Sequence, residues 1–113
     1  MFKLQFTLEQ RLQKIEEIKK KYPLKLPLIV EARKGSTLKL DHVKYLVEPD
    51  MTIGHFIYVL ARRLKLKPEE CLFLFVNNKI FPTDTEMREV FKTEKENDGF
   101  VYCIVSLEDT FGF

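Results

Sequence analysis

Apolar residues recur at helical spacing near the start of the chain. Leu8, Leu12, Ile15, Ile18 and Tyr22 form one face of a helix expected over Thr7–Lys21. "TLEQ" opens it as a capping box, in which the Thr7 hydroxyl takes a backbone N–H and Gln10 reaches back. Pro23 stops it, because the residue before a proline avoids helical geometry. The pattern then shortens. Leu28 to Ala32 and Lys44 to Val47 read as two strands of a hairpin, with Gly35 and Ser36 in its long connection. Thr52 caps a second helix, "IGHFIYVLARRLKL", whose inward face is Ile53, Phe56, Ile57, Leu60 and Leu64. Arg62, Arg63 and Lys65 fall in its last turns, where cations complement the helix dipole. "CLFLFV" is a continuous apolar run of strand length, expected to be buried on both faces. Asn77 and Asn78 turn the chain into a short strand, Lys79 to Phe81, closed by Pro82. A short helix around Glu86 to Lys92 turns Met87, Val90 and Phe91 inward. "NDG" marks a turn before the last long strand, "FVYCIVSL".

The order is a helix followed by β-β-α-β-β-α-β. It predicts an α+β fold with a mixed sheet and helices packed on one face. The first and last long strands are the natural central neighbours. "KYLVE" is shorter and half polar, so it belongs at an edge.

Composition narrows the class. The chain has 113 residues, 45% hydrophobic and 32% charged, which fits one folded domain. A chain of this size buries about two-thirds of the surface its unfolded form exposes, enough for a core without staples. The net charge of +2 is too weak to imply nucleic acid, so no nucleic-acid partner is expected. Cys71 and Cys103 sit in apolar runs and read as reduced core thiols, consistent with the cytoplasm. "MFKLQFTLEQ" carries no secretory pattern, and no run approaches the about 20 apolar residues of a membrane span. Membrane association must come from a surface, a partner or an attached lipid.

Catalytic constellations fail one by one. No nucleophile elbow is present. His42 and His55 lie in different elements, and neither cysteine has metal-ligand spacing, so no metal site is expected. With four glycines in the chain there is no phosphate loop, and no cofactor is predicted. The adjacent Glu69 and Glu70 read as solvated charges. An enzyme is not expected. An edge strand, in contrast, can accept an extended partner segment through its backbone. Lys44, Glu48 and Pro49 either protect that edge or, in the case of Lys44, recruit acidic peptides. Tyr45 and Val47 share one face of the strand, and Lys44 and Leu46 the other. Lys19, Lys20 and Lys21 read as a solvated helix end that can also steer acidic partners or touch anionic lipid.

Several linked motifs occur in one order: "KKYPLKLPLIVE", "KYLVEPDMTIGHFIYVLARRLKL", "LFLFVNNKIFPT", "DGFVY" and "TFG". From Phe6 onward the chain resembles the ubiquitin-like modifiers of autophagy, the group that includes the GABA-receptor-associated proteins. The resemblance implies a ubiquitin-like β-grasp with an N-terminal helical extension. It divides the chain into that extension (1–22), the core (23–108) and a C-terminal tail expected to be flexible (109–113). It also implies partners. A cysteine protease would cut after Gly112 and remove Phe113. Activating and conjugating enzymes would then link Gly112 to phosphatidylethanolamine. The lipidated form would sit on autophagosome membranes and recruit receptors with an aromatic-x-x-aliphatic motif. The unlipidated form would be a cytoplasmic monomer.

By the same resemblance, Ile18, Pro27, Ile29, Lys44, Leu46 and Phe100 would form an aromatic pocket. Tyr45, Val47, Met51, Phe56, Val59 and Leu60 would form an aliphatic one. Lys44 and Arg63 would meet acidic ligand residues. Lys14, Glu48, Met51 and Phe81 depart from the family's usual residues. The abbreviated N-terminus is expected to reduce or lose the family's first short helix. The alternative reading is an unconjugated adaptor of the same fold in trafficking or cytoskeletal attachment. A sulfur carrier of this fold usually ends in Gly-Gly, and "TFGF" lacks that pair.

Overall fold

A capping box starts the longest helix. Thr7 Oγ1 accepts the Gln10 N–H at 3.2 Å, and Gln10 Oε1 accepts the Thr7 N–H at 2.9 Å. The computed structural model describes residues 1–107; the tail with Gly112 and Phe113 lies outside the described residues. The elements in chain order are α1 (Phe2–Gln5), α2 (Leu8–Lys21), β1 (Leu26–Ala32), β2 (Lys44–Val47), α3 (Ile53–Arg63), β3 (Phe73–Val76), α4 (Met87–Glu94) and β4 (Val101–Ser106).

The sheet runs β2-β1-β4-β3. β1 and β4 are parallel central neighbours, and the outer pairs are antiparallel. This is the expected mixed sheet with β2 at an edge. Its period-two alternation feeds two cores. Leu28, Val30, Val101, Cys103 and Val105 pack against α3 and α4 through Phe56, Leu60, Met87 and Val90. Ile29 and Phe100 turn the other way and meet Phe2, Ile15 and Ile18. Helices therefore cover both faces, not one. The N-terminal helices are the second cover.

Other expectations are refined. Lys79 to Phe81 is not a strand. Asn77 and Asn78 both take positive φ, 50° and 64°, so the chain reverses in two residues. Val76 and Lys79 close that turn with paired backbone hydrogen bonds at 2.8 and 2.9 Å, and pairing ends there. "CLFLFV" lies at the other edge of the sheet, yet its expected burial on both faces holds at Leu74, Phe75 and Val76; Arg33 lies over the Phe75 ring. Cys71 is exposed, because the strand starts two residues later, and only Cys103 is a core thiol. A short N-terminal helix, α1, is present; Phe2 anchors it against the Phe6 and Phe100 rings. Along α2, Leu8, Leu12 and Tyr22 remain more than 40% exposed, so Ile15 and Ile18 alone are its buried apolar anchors.

Candidate functional site

β2 pairs with β1 on one side, and among the described residues no strand pairs with its outer edge. The register places Leu46 opposite Pro27 and Lys44 opposite Ile29. Directly opposed residues share a face. Leu46 packs with Ile18, Ile29 and Phe100, so five of the six expected aromatic-pocket residues are drawn together by the second core and the register, and Lys44 stands exposed at the rim. Pro27 lies near the start of β1, one residue before the β1–β4 pairing begins at Leu28, so its missing N–H leaves no gap in that ladder. Ile29 and Phe100 are fully buried. They lie beneath Leu46, which is half-buried.

The other face holds the aliphatic set. The Tyr45 ring meets Phe56 edge-on, centroids 5.7 Å apart. Val47, Phe56 and Leu60 are closed into the core, and Tyr45 and Met51 pack half-buried against them. Val59 is half-buried on α3. Arg63 lies over the Tyr45 ring at 5.5 Å, with Nη2 3.8 Å from Asp41 Oδ2. Burial pushes the Tyr45 phenol up; Arg63 opposes that shift and Asp41 adds to it. Arg63 and Lys44 thus lie beside opposite faces of one strand. A cleft of about 320 Å³ opens just past β2, lined by Glu48, Asp50, Met51, Thr52 and His55. Thr52 accepts the His55 N–H at 3.1 Å and fixes that end of α3.

Sequence reasoning missed the polar network that holds the first face in place. Asp98 is fully buried. Its Oδ1 accepts the Phe100 N–H at 2.9 Å, and its Oδ2 accepts from Arg11 at 2.6 Å and from the Tyr102 hydroxyl at 2.5 Å. Burial pushes the Asp98 carboxyl up, but the Tyr102, Phe100 and Arg11 hydrogen bonds outweigh it and hold it below its ordinary value. Arg11 belongs to α2 and Phe100 directly precedes β4, so Asp98 ties Ile18's helix to the pocket floor. The only available signal was "NDG", which reads as a turn and not as a buried acid.

The chain matches the family model described as "Autophagy protein Atg8 ubiquitin like" over residues 10–112. The chain belongs to the Atg8 family. It is 43% identical over 112 residues to autophagy-related protein 8B of Oryza sativa subsp. indica, covering 98% of this chain and 94% of that protein. Autophagy-related protein 8d of Arabidopsis thaliana is also 43% identical over 112 residues, with 98% and 93% covered. The crystal structure of Trypanosoma brucei ATG8 superposes with a TM-score of 0.88 at 35% identity, covering 98% of this chain and 97% of that one. Atg8 membership makes this a ubiquitin-like autophagy protein. Among the described residues no helix is long and apolar enough to cross a membrane.

Proposed function

We propose that this Atg8-family chain is a non-enzymatic modifier that carries receptors to membranes. A cysteine protease cuts after Gly112 and releases Phe113. Activating and conjugating enzymes then link Gly112 to phosphatidylethanolamine. The extension (1–22) and core (23–108) supply the docking surface, and the tail (109–113) supplies the handle. The protein is then cytoplasmic when free and on the autophagosome membrane when lipidated. Glycine suits the handle because it has no side chain to obstruct a narrow transfer site.

One observation carries the docking half of this reading: an edge strand that has no outer partner among the described residues, with a different apolar cluster on each face. A receptor segment would add as a strand. Side chains alternate along a strand, but an aromatic and an aliphatic residue three positions apart fall on opposite faces. One would reach Leu46 and the other Tyr45 and Met51. Lys44 and Arg63 would favour acidic flanks by complementary potential.

The test has two arms. A Trp-x-x-Leu peptide with acidic flanks should bind, and Leu46→Ala should weaken it by about 1–3 kcal/mol, the scale of a lost anchor contact. Unchanged affinity removes the pocket assignment. Membrane-recovered protein should lack Phe113 and carry the mass of a phospholipid, and Gly112→Ala should abolish that form. An intact Phe113 on membranes would instead support the unconjugated adaptor.

A further inference from the structure

The two apolar clusters beside β2 are offset along the strand. Leu46 shares its cluster with Ile29, which stands opposite Lys44, the first residue of β2. The other cluster takes Val47, the last residue, and Met51 beyond it. A segment whose aromatic residue comes three positions before its aliphatic one therefore runs parallel to β2. Its residues before the aromatic one are carried past Lys44 and out over Val43. Strand residues rise about 3.3 Å each, so Val43 lies about 10 Å from Leu46 along the strand.

There the sheet edge is uncovered. β2 pairs with β1 only from Leu26 to Ile29, and one more bond follows, from the Val30 N–H to the Val43 carbonyl at 2.8 Å. Ala32, two residues on, pairs with Val105 of β4, and the Arg33 N–H donates to the Val105 carbonyl at 2.8 Å. In that ladder the groups flanking Ala32 bond to β4, so the N–H and carbonyl of Ala32 itself point the other way. Among the described residues no backbone group bonds them. A cleft of about 520 Å³ lies against this end of β1, with Met1, Ala32, Leu40, Val43 and Ile104 among its walls. Met1 and Val43 are 68% and 39% exposed, so this apolar surface faces water. Clustered exposure of this kind marks a docking surface more than scattered apolar residues do. The acid in the wall is engaged: Glu31 accepts the Phe2 N–H at 2.9 Å. The cleft therefore offers apolar contact and unpaired strand backbone, in line with the groove along β2.

We propose that this cleft is a third apolar subsite of the β2 groove. Its occupant is an aliphatic residue three or four positions before the aromatic residue of the same receptor segment. The inference rests on the reading of β2 as the docking edge. It lengthens the recognised pattern to aliphatic-x-x-aromatic-x-x-aliphatic, with room for one more residue in the first gap. Acids between the first two anchors pass beside Lys44, and the segment's backbone can bond Ala32.

Fluorescence anisotropy with a series of Trp-x-x-Leu peptides tests this. All carry the same acidic flank, with serine or leucine three or four positions before the tryptophan. Leucine at one of those positions should tighten binding about fivefold, the effect of burying about half of that side chain. Val43 is partly exposed, so Val43→Ser should keep the fold, leave the serine peptide's affinity unchanged and erase the leucine gain. In methyl spectra the leucine peptide, and not the serine one, should shift the Val43 and Ile104 signals. Equal affinity of the leucine and serine peptides overturns the subsite while the β2 groove stands. A gain that survives Val43→Ser without those shifts places the leucine elsewhere and overturns it too. If none of the peptides binds, the groove reading falls and the subsite with it. Self-association of the chain that Val43→Ser abolishes would make a second copy the occupant and overturn the assignment.

Discussion

Asp98→Ala removes one side chain and strands three donors. The carboxylate is fully buried and accepts from Arg11, Tyr102 and the Phe100 N–H. A buried donor left without an acceptor costs about 1–3 kcal/mol. Two of the donors are neutral. The third, Arg11, keeps a side chain 13% exposed and regains some water. The expected loss is therefore about 3–5 kcal/mol, the range for breaking a buried ionic network from one side. Against a typical domain stability of about 5–15 kcal/mol this is large. It corresponds to a fall in Tm of about 10–20 °C for a chain of this length. Urea denaturation with a fixed m-value measures it. Asp98→Asn keeps an oxygen for Phe100 but loses the charge that faces Arg11, and should cost about half as much. A loss under about 1 kcal/mol for Asp98→Ala, or an Asn variant as damaged as the Ala one, refutes the network's role.

The same group predicts an acid limb. Its folded carboxyl is held below the ordinary value, whereas in the unfolded chain it titrates near about 3.9. Between those values the unfolded chain binds more protons. The contribution is complete above the unfolded value and is lost as pH falls through the folded one. Asp98→Asn should therefore lose less stability between neutral pH and about pH 3 than the parent chain. Parallel curves would assign the acid limb to other carboxylates.

Gly99→Ala should destabilise by about 1–3 kcal/mol in urea melts, because the residue takes a left-handed φ and its new methyl would press Ile15. The φ is +93° and the added Cβ would lie 3.1–3.2 Å from three Ile15 atoms. Native protein should react with one equivalent of a thiol reagent, at Cys71, and with a second only on unfolding. Cys103 is buried and its thiol is pushed up to about 12 by burial, so it offers almost no thiolate. Two fast equivalents would contradict that core placement.

The parts of the fold legible in sequence were those where one local signal decides. "TLEQ" and Pro23 bounded α2 within a residue, and the polar alternation of "KYLV" placed β2 at an edge. Errors arose where a tertiary partner decides. Leu8 and Leu12 have the spacing of a buried face, but the sheet surface beneath α2 reaches only Ile15 and Ile18. "CLFLFV" is apolar throughout, yet its first cysteine lies outside the strand, because pairing with β4 begins at Phe73. The second helical layer was invisible for the same reason: nothing local says which face of the sheet a helix will cover.

The groove residues divide in a more instructive way. Period-two alternation alone separates Lys44 and Leu46 from Tyr45 and Val47, so the two-faced edge could be read from four residues. It cannot say what each face meets. Ile18 and Phe100 are 82 positions apart and share the cluster under Leu46. Only a parallel β1–β4 pairing brings them together, and parallel pairing needs a long crossover that leaves no short-range trace. Asp98 is the step that joins the two halves. The acid of the "NDG" turn is drawn inside because Arg11 arrives from α2 and Tyr102 from β4. The floor under Leu46 is therefore fixed by a polar contact outside the pocket. Aromatic-side affinity should follow the integrity of that contact, and the aliphatic side, built on α3, should not.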